Sequence, residues 1–196
     1  MPHAERHRNV SIPTRCIHRR RFLRWGLAAA SLFLTPRALK AAVSEPVSPP
    51  DRRLAFFNTH TGERLEIRYC RAGRYDPRAL HDVNHVLRDH RSGEVGAIAP
   101  GLLDLLHRIC QRFEAPRPFH VISGYRSPET NAALHRKGRG VASQSLHMFG
   151  QAIDIRVPGI WTGELKRLAL EIAAGGVGYY PSSDFVHVDI GRVRSW

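Results

Sequence analysis

Two short segments in the C-terminal third of the chain alternate apolar and ionisable residues, and they constrain the fold more than any other feature. In residues 152–157 the odd positions are apolar and β-branched, so Asp154 projects from the opposite face of an extended segment. In residues 185–190 the even positions are apolar, and His187 and Asp189 project from the other face. Each segment predicts a strand that buries one side in a core and displays ionisable groups on the other.

The rest of the pattern predicts helices early and short strands late. Asp76 and Ser127 each precede a proline, which is typical of a helix N-cap. The expected elements are a β-hairpin over 54–69, helices over 76–92, 101–113, 127–137 and 162–174, and strands over 119–123, 151–157, 177–180 and 185–190, with a loop over 138–145. This order favours a single α+β domain with a mainly antiparallel sheet and flanking helices.

The composition fits one globular domain. The chain has 196 residues, of which 42% are hydrophobic and 24% are charged, so it can bury a core of its own. A wholly disordered chain and a multidomain assembly are both excluded. We expect a signal peptide over 1–42, a flexible, proline-containing lead-in over 43–53, and the folded domain over 54–196.

The first 42 residues have the layout of an export signal. A basic cluster ends at residue 24, and an apolar run over 25–34 follows it. This run is too short to cross a bilayer, which takes about 20 residues, so no membrane anchor is expected after signal removal. The segment 18–24 resembles a twin-arginine signal, which implies the twin-arginine export machinery and a periplasmic location. A general secretory signal is the alternative.

The distribution of charge bears on whether the chain binds nucleic acid, and the cysteines leave open whether a disulfide forms. Of the net charge of +13, residues 1–42 carry +8, and the +5 that remains forms no single basic stripe. A nucleic-acid partner is therefore not expected. Cys70 and Cys110 remain after signal removal, and they can pair in an oxidising compartment or stay as two buried thiols.

A third ionisable group lies just before the first alternating strand. His147 precedes Asp154 by seven residues, and Gly150 between them permits a turn. If the two strands pair, Asp154 and His187 converge on one face of the sheet. Two imidazoles and one carboxylate suit a zinc ion that keeps a fourth position for water. Each residue taken singly also fits a structural role, as a loop histidine, a salt-bridged carboxylate or a half-buried sheet histidine.

Three motifs resemble those of one enzyme family. Residues 145–154 follow the pattern Ser-x-His-x-x-Gly-x-Ala-x-Asp, residues 184–187 follow Asp-x-x-His, and residues 123–127 read Ser-Gly-Tyr-Arg-Ser. This combination is similar to the signature of the D-Ala-D-Ala metallopeptidases with the Hedgehog/DD-peptidase fold. Residues 58–63 and 177–181 further resemble the exported murein endopeptidase branch of that family.

The resemblance implies one zinc ion per chain, held by His147, Asp154 and His187, and a peptidoglycan stem peptide as substrate. Zinc activates water, but a carboxylate must collect the proton of that water and deliver it to the leaving amine. Asp184 occupies the position at which relatives carry this general base. Asp189 is the rival, since it shares the face of the site and also suits a partner that orients a ligand histidine.

Further site residues come from the same motifs. The guanidinium of Arg126 suits a clamp on a peptide carbonyl or carboxylate and the stabilisation of an oxyanion, with a plain surface arginine as the alternative. Ser145 is expected to hydrogen-bond near the metal or to cap a turn. Tyr125 is expected to line the groove or to pack in the core.

The predicted function is a zinc-dependent murein endopeptidase that hydrolyses crosslinks between peptidoglycan stem peptides. Within the same chemistry, a D,D-carboxypeptidase or dipeptidase is the alternative, because no residue pattern reports the stereochemistry of the bond. From a different class, the alternative is a non-catalytic, zinc-containing module that binds peptidoglycan.

Overall fold

The computed structural model describes residues 49–138 and 141–196. The signal peptide expected over 1–42 and the first part of the lead-in lie outside the described residues. In chain order the elements are β1 (Arg52–Asn58), β2 (Arg64–Arg71), β3 (Arg74–Tyr75), α1 (Pro77–Val86), α2 (Pro100–Cys110), β4 (Phe119–Ser123), α3 (Pro128–Arg136), a 3-10 helix (Leu146–Phe149), β5 (Ala152–Arg156), α4 (Thr162–Ile172), β6 (Gly176–Tyr180), a second 3-10 helix (Pro181–Ser183), β7 (Phe185–Asp189) and β8 (Arg194–Ser195).

The strands form one sheet in the order β3-β2-β1-β4-β5-β7-β6-β8. Neighbouring strands are antiparallel except for the pairs β1–β4 and β6–β8, which are parallel. The predicted α+β class with a mainly antiparallel sheet is therefore confirmed. Strands β5 and β7 are direct neighbours, and Asp154 lies opposite His187 in their register.

One face of the sheet packs against helices. Helices α1 and α2 contact β2 and β1, and α4 contacts β6 and β7. The strand residues on this face and the apolar stripe of α2 form the buried core, which includes Phe56, Leu102, Leu106, Ile109, Phe119, Ile153, Ile155, Val186 and Val188. The recurrence of leucines at helical spacing explains why α2 presents this stripe to the sheet. The opposite face of the middle strands carries the ionisable groups.

Two helices begin as their cap residues predict. The carboxylate of Asp76 accepts hydrogen bonds from the backbone N–H groups of Arg78 and Ala79, at 2.9 and 3.4 Å. The hydroxyl of Ser127 accepts one from the N–H of Thr130 at 3.2 Å. Each cap is followed by a proline at the first helical position, where a missing N–H costs no hydrogen bond.

Helix α1 ends at Val86, earlier than the helix predicted over 76–92. Just beyond its end, Asp89 accepts hydrogen bonds from both the backbone N–H and the hydroxyl of Ser127, each at 2.9 Å. The N–H of Asp89 in turn donates to the carbonyl of Glu94 at 3.0 Å. These contacts stabilise a turn that packs against the connection between β4 and α3. A long-range interaction therefore ends the helix before the end that the spacing of apolar residues predicts.

Some features of the described residues were not expected from the sequence. Strands β3 and β8 are only two residues long, too short to produce a pattern. The question left open for Cys70 and Cys110 is answered, since the structure shows both as free cysteines. Within the described ranges, no helix has the length and apolar character needed to cross a membrane.

Candidate metal centre

Three elements bring His147, Asp154 and His187 together. His147 lies in the first 3-10 helix, Asp154 on β5 and His187 on β7. Nε2 of His147 lies 3.3 Å from Oδ1 of Asp154 and 3.3 Å from Nδ1 of His187, and that Nδ1 lies 2.9 Å from the same carboxylate oxygen. Gly150 ends the 3-10 helix with a φ of 60°, which glycine adopts readily, and turns the chain into β5.

Hydrogen bonds on the far side of each ring decide which nitrogen faces the cluster. Nδ1 of His147 donates to the carbonyl oxygen of Gly124 at 2.7 Å, so Nε2 keeps its lone pair. Nε2 of His187 donates to Oδ2 of Asp189 at 3.2 Å, so Nδ1 is the ring nitrogen that faces the cluster. Two imidazoles and one carboxylate therefore each direct one potential ligand atom to the same point.

The spacing of the donor atoms fits a tetrahedral metal ion. Zinc binds imidazole nitrogen and carboxylate oxygen at about 2.0–2.2 Å, which places tetrahedral ligand atoms about 3.3–3.6 Å apart. The observed separations of 2.9–3.3 Å are close to this range. In the described part of the chain, this is the one group of at least three metal-ligating side chains.

The electrostatics of the cluster favour a cation. Burial alone would raise the pKa of Asp154, but the interactions with His147 and His187 hold it well below its usual range. Burial alone would lower the pKa of His187, but hydrogen bonds to Asp154 and Asp189 raise it to about 9. The surroundings thus stabilise positive charge where the donor atoms meet.

Asp189 orients His187 and is itself held from several sides. Its side chain is fully buried. Oδ1 accepts hydrogen bonds from the backbone N–H groups of Gly176 and Gly191 at 2.9 and 2.8 Å, and Arg194 donates to Oδ2 at 2.8 Å. Together with His187, these donors use the lone pairs of both carboxylate oxygens.

A cavity of about 370 Å³ opens beside the cluster. Tyr180, Phe185 and Trp196 form an aromatic wall. The rings of Tyr180 and Phe185 stack with centroids 4.6 Å apart, and the indole N–H of Trp196 donates to the hydroxyl of Tyr180 at 2.9 Å. Because the ring of Trp196 also lies 5.3 Å from that of His187, the wall reaches the cluster itself.

Arg126 lines the same cavity and is only 8% exposed. Its guanidinium makes long contacts of 3.4 Å to Asn131 and Ser123, and lies 3.7 Å from Oδ2 of Asp154. Its Nε has no hydrogen-bond partner within the described residues, and burial lowers its pKa. A buried guanidinium with an unpaired donor is suited to an acceptor that enters the cavity.

Asp184 lies beside the cavity and outside its lining. It follows the second 3-10 helix with a φ of 52°, and its side chain is 61% exposed. Its carboxylate lies 3.4 Å from Nη1 of Arg156. Arg156 follows Asp154 by two residues on β5 and shares its face, so this ion pair keeps the carboxylate on the cluster side of the sheet.

Of the other two expected site residues, one lines the cavity and one does not. Ser145 is buried and lines the cavity. Tyr125 is not among the residues that line the cavity. Its hydroxyl donates a hydrogen bond to Glu94 at 2.9 Å, and its ring packs against Gly96. Sequence reasoning missed Arg194 and Trp196, which follow the last predicted strand. The signal available for them is a cationic and an aromatic residue two positions apart, a few residues after the His-x-Asp strand.

An α+β sheet that holds two imidazoles and one carboxylate beside an open cavity has the architecture of a metal-dependent hydrolase. Comparison with known families narrows this class. Residues 47–196 match the family profile described as "Peptidoglycan L,D-endopeptidase MepK". The chain belongs to this peptidase family, which agrees with the resemblance found in its sequence.

Individual relatives support the same assignment. The peptidoglycan L,D-endopeptidase MepK of Escherichia coli (strain K12) is 39% identical over 179 residues, which cover 91% of this chain and 97% of that protein. The probable peptidoglycan L,D-endopeptidase MepK of Haemophilus influenzae is 38% identical over 180 residues, with 91% and 95% covered. Among solved structures, the match to the Serratia marcescens L-Ala D-Glu endopeptidase ChiX is 21% identical in sequence, covers 39% of this chain and 62% of that protein, and has a TM-score of 0.31.

Proposed function

We propose that this protein is a zinc-dependent murein endopeptidase that hydrolyses crosslinks between peptidoglycan stem peptides. The cluster of His147, Asp154 and His187 beside the cavity carries the proposal, because it supplies a ligand set in a chain of a peptidase family. The relatives are named L,D-endopeptidases, and we propose the same bond type for this chain, between an L and a D centre.

Zinc suits these donors because imidazole nitrogen and carboxylate oxygen at tetrahedral spacing are typical of its sites. When bound, the ion would lower the pKa of a coordinated water towards neutrality and polarise the scissile carbonyl. The protein keeps the two rings in place through partners outside the cluster, the carbonyl of Gly124 for His147 and Asp189 for His187. Such partners fix the tautomer and the direction of each ligand.

We assign proton transfer to Asp184. This residue precedes His187 by three positions, and Arg156 holds its carboxylate on the cluster side of the sheet. In this role Asp184 takes a proton from the attacking water and delivers it to the leaving amine, which requires a carboxylate that is free to change its protonation state. Asp189 lacks that freedom because it is buried and bonded by several donors, so we assign it to orientation of His187.

We assign substrate clamping to Arg126. Its unpaired Nε and its weakly bonded terminal nitrogens can donate to the scissile carbonyl oxygen. Those donors become more valuable as negative charge develops on that oxygen during attack. The low exposure of the guanidinium strengthens the interaction, because little water screens it.

We also propose that the protein acts in the periplasm and is exported by the twin-arginine route, on the evidence of residues 18–24 and 25–34. Lysine in place of both Arg19 and Arg20 should keep the protein in the cytoplasm, as measured by cell fractionation. Unchanged export of this variant would favour the general secretory route.

The test of the activity is digestion of defined crosslinked muropeptides by the zinc-loaded protein, with products identified by mass. Wild type should cut one bond between an L and a D centre. Asp184→Asn should give no products while keeping one zinc per chain, and the exposed control Asp82→Asn should behave as wild type.

Other outcomes would replace the proposal. Release of D-alanine or cleavage of free D-Ala-D-Ala, with crosslinked substrates left intact, would identify a D,D-carboxypeptidase or dipeptidase. A protein that holds one zinc per chain, binds peptidoglycan and cuts nothing would be a binding module.

A further inference from the structure

A row of cationic and aromatic side chains crosses the open face of the sheet and ends at the cavity. We call it the basic–aromatic row. Its members lie one on each of six neighbouring strands, and the strand registers pair each with the next, except that Arg156 and Phe185 lie one residue beyond the last β5–β7 pair, Ile155 with Val186. Its members are Arg64 on β2, Phe57 on β1, His120 on β4, Arg156 on β5, Phe185 on β7 and Tyr180 on β6.

Side-chain contacts join the members at each end of the row. The guanidinium of Arg64 lies 4.3 Å from the ring centroid of Phe57, and the rings of Phe57 and His120 meet edge to face at 4.8 Å. His120 is paired with Arg156 in the β4–β5 register. At the other end, Phe185 and Tyr180 belong to the aromatic wall of the cavity. The row is therefore a continuation of the cavity wall across the sheet.

The charge of the row is positive and partly unneutralised. Arg64 is exposed and makes no ion pair with a described residue, while Arg156 has Asp184 as its carboxylate partner. Burial and the two neighbouring guanidinium groups lower the pKa of His120, so this ring is neutral at neutral pH and the two arginines carry the charge. An exposed, unpaired cation at the far end of two flat rings suits a ligand that carries a carboxylate beyond an aliphatic segment.

The dimensions of the row match an extended peptide. From β7 to β2 the row crosses four strand spacings, or about 19 Å at about 4.8 Å each. An extended chain of about six residues covers this distance. When the scissile part of a peptide substrate lies at the cluster, the part that leaves the cavity along the open face would therefore be long enough to reach Arg64.

We propose that the basic–aromatic row binds the carboxylate-bearing stem peptide of a crosslinked substrate, on one side of the bond that is cut. The inference rests on the proposed function, because it extends the same substrate beyond the cavity. Arg64 receives a carboxylate of the peptide, Arg156 stays paired with Asp184, and Phe57 and His120 support the aliphatic segment that leads to Arg64. The row thus distinguishes a long anionic substrate from a short one.

The test compares Arg64→Gln with wild type on three substrates. These are a crosslinked dimer of two stem peptides, the same dimer with all of its carboxylates amidated, and a short peptide that contains only the scissile bond and its flanking residues. Arg64→Gln should raise KM for the free-carboxylate dimer about twofold to fivefold with kcat unchanged. It should leave the amidated dimer and the short peptide unaffected, because neither offers Arg64 a carboxylate.

Two further variants separate this effect from general ones. Arg78→Gln removes an equal charge from α1, which packs on the other face of the sheet, and should leave KM for the dimer unchanged. Phe57→Leu should weaken binding of the dimer while leaving the short peptide unaffected. An equal change on all three substrates, or no change on the dimer, would overturn the inference.

Binding can be measured apart from cleavage. Calorimetric titration of the intact protein with the dimer should show weaker binding for Arg64→Gln, and this result would support the row even if wild type cut no substrate. Normal cleavage with binding that is independent of Arg64 would reject the row and leave the proposed function intact. Binding of peptide-free glycan strands that depends on Arg64 would overturn the assignment to a peptide.

Discussion

Oδ2 of Asp189 lies 3.2 Å from Nε2 of His187, on the opposite side of the ring from Asp154, whose Oδ1 lies 2.9 Å from Nδ1. One imidazole is thus held between two carboxylates. The outer carboxylate accepts a hydrogen bond from the N–H of Nε2, which leaves Nδ1 as the nitrogen that can serve as a ligand. Since Arg194 and two backbone N–H groups hold Asp189, the position of His187 depends on the edge of the sheet that carries β8.

Asp189→Asn should weaken zinc binding by about 10-fold to 100-fold, as is usual when the partner of a ligand histidine is lost. An asparagine oxygen is a weaker acceptor for His187, and its amide opposes the donors around it. Competition with a chromogenic chelator measures the affinity. Asp184→Asn should bind zinc as wild type does, so equal affinities for all three proteins would contradict the separation of roles.

Removal of the metal should lower both activity and thermal stability. A ligand at 100 times its dissociation constant stabilises the folded state by about 2.7 kcal/mol. For a domain of this size, that corresponds to a decrease in Tm of about 5–10 °C after chelation, reversed by added zinc. Scanning calorimetry measures the change. His147→Ala should show no response of Tm to zinc, and a full response would reject His147 as a ligand.

Arg126→Lys should lower kcat by about 10²-fold to 10³-fold, the effect expected for loss of an oxyanion donor. Lysine keeps the charge but lacks the planar set of donors. Steady-state kinetics on a crosslinked muropeptide measures kcat and KM separately, and zinc content serves as the control. A rise in KM with unchanged kcat would show that Arg126 only binds the substrate.

Asp89 should contribute to stability in a pH-dependent way. Burial alone would raise its pKa, but hydrogen bonds, including those from Ser127, outweigh burial and hold the pKa below the ordinary value of 3.8. A depressed folded-state pKa means that the contribution is complete above about pH 4 and is lost as the pH falls further.

The comparison with Asp89→Asn isolates this contribution from those of the other carboxylates. The variant should be less stable than wild type by about 2 kcal/mol at pH 7, and the difference should shrink below about pH 4. Urea unfolding at a series of pH values measures it. A constant difference from pH 7 to pH 3 would show that the charge of Asp89 is unimportant.

Gly150→Ala should destabilise the protein and disturb His147. A Cβ at this position would lie 2.0 Å from the carbonyl oxygen of Ala97, in a backbone conformation with φ of +60°. The backbone conformation alone costs about 1–2 kcal/mol, and the collision adds about 1–3 kcal/mol. Gly62→Ala is the matched control, because Gly62 also has a positive φ but nothing lies within 4 Å of the added Cβ. Equal losses of unfolding free energy would contradict the role of the collision.

Much of the site could be predicted because local periodicity reports which side chains share a face. Alternation in residues 152–157 and 185–190 separated Asp154 and His187 from the core-facing residues, and the structure places these strands side by side. The N-cap residues Asp76 and Ser127, each followed by a proline, correctly predicted where α1 and α3 begin. The end of α1 could not be predicted, since it depends on Asp89 meeting Ser127, 38 residues further along the chain.

The sequence by itself determined the α+β class, the positions of the main elements and the face that carries Asp154, His187 and Asp189, because these depend on patterns within a few residues. Only the tertiary structure decided the parallel pairing of β1 with β4, the closing of the cavity by Trp196 and the line of Arg64, Phe57 and His120 across the sheet. These features join residues that are far apart in the chain, and strand order and register, which no local pattern encodes, bring them together.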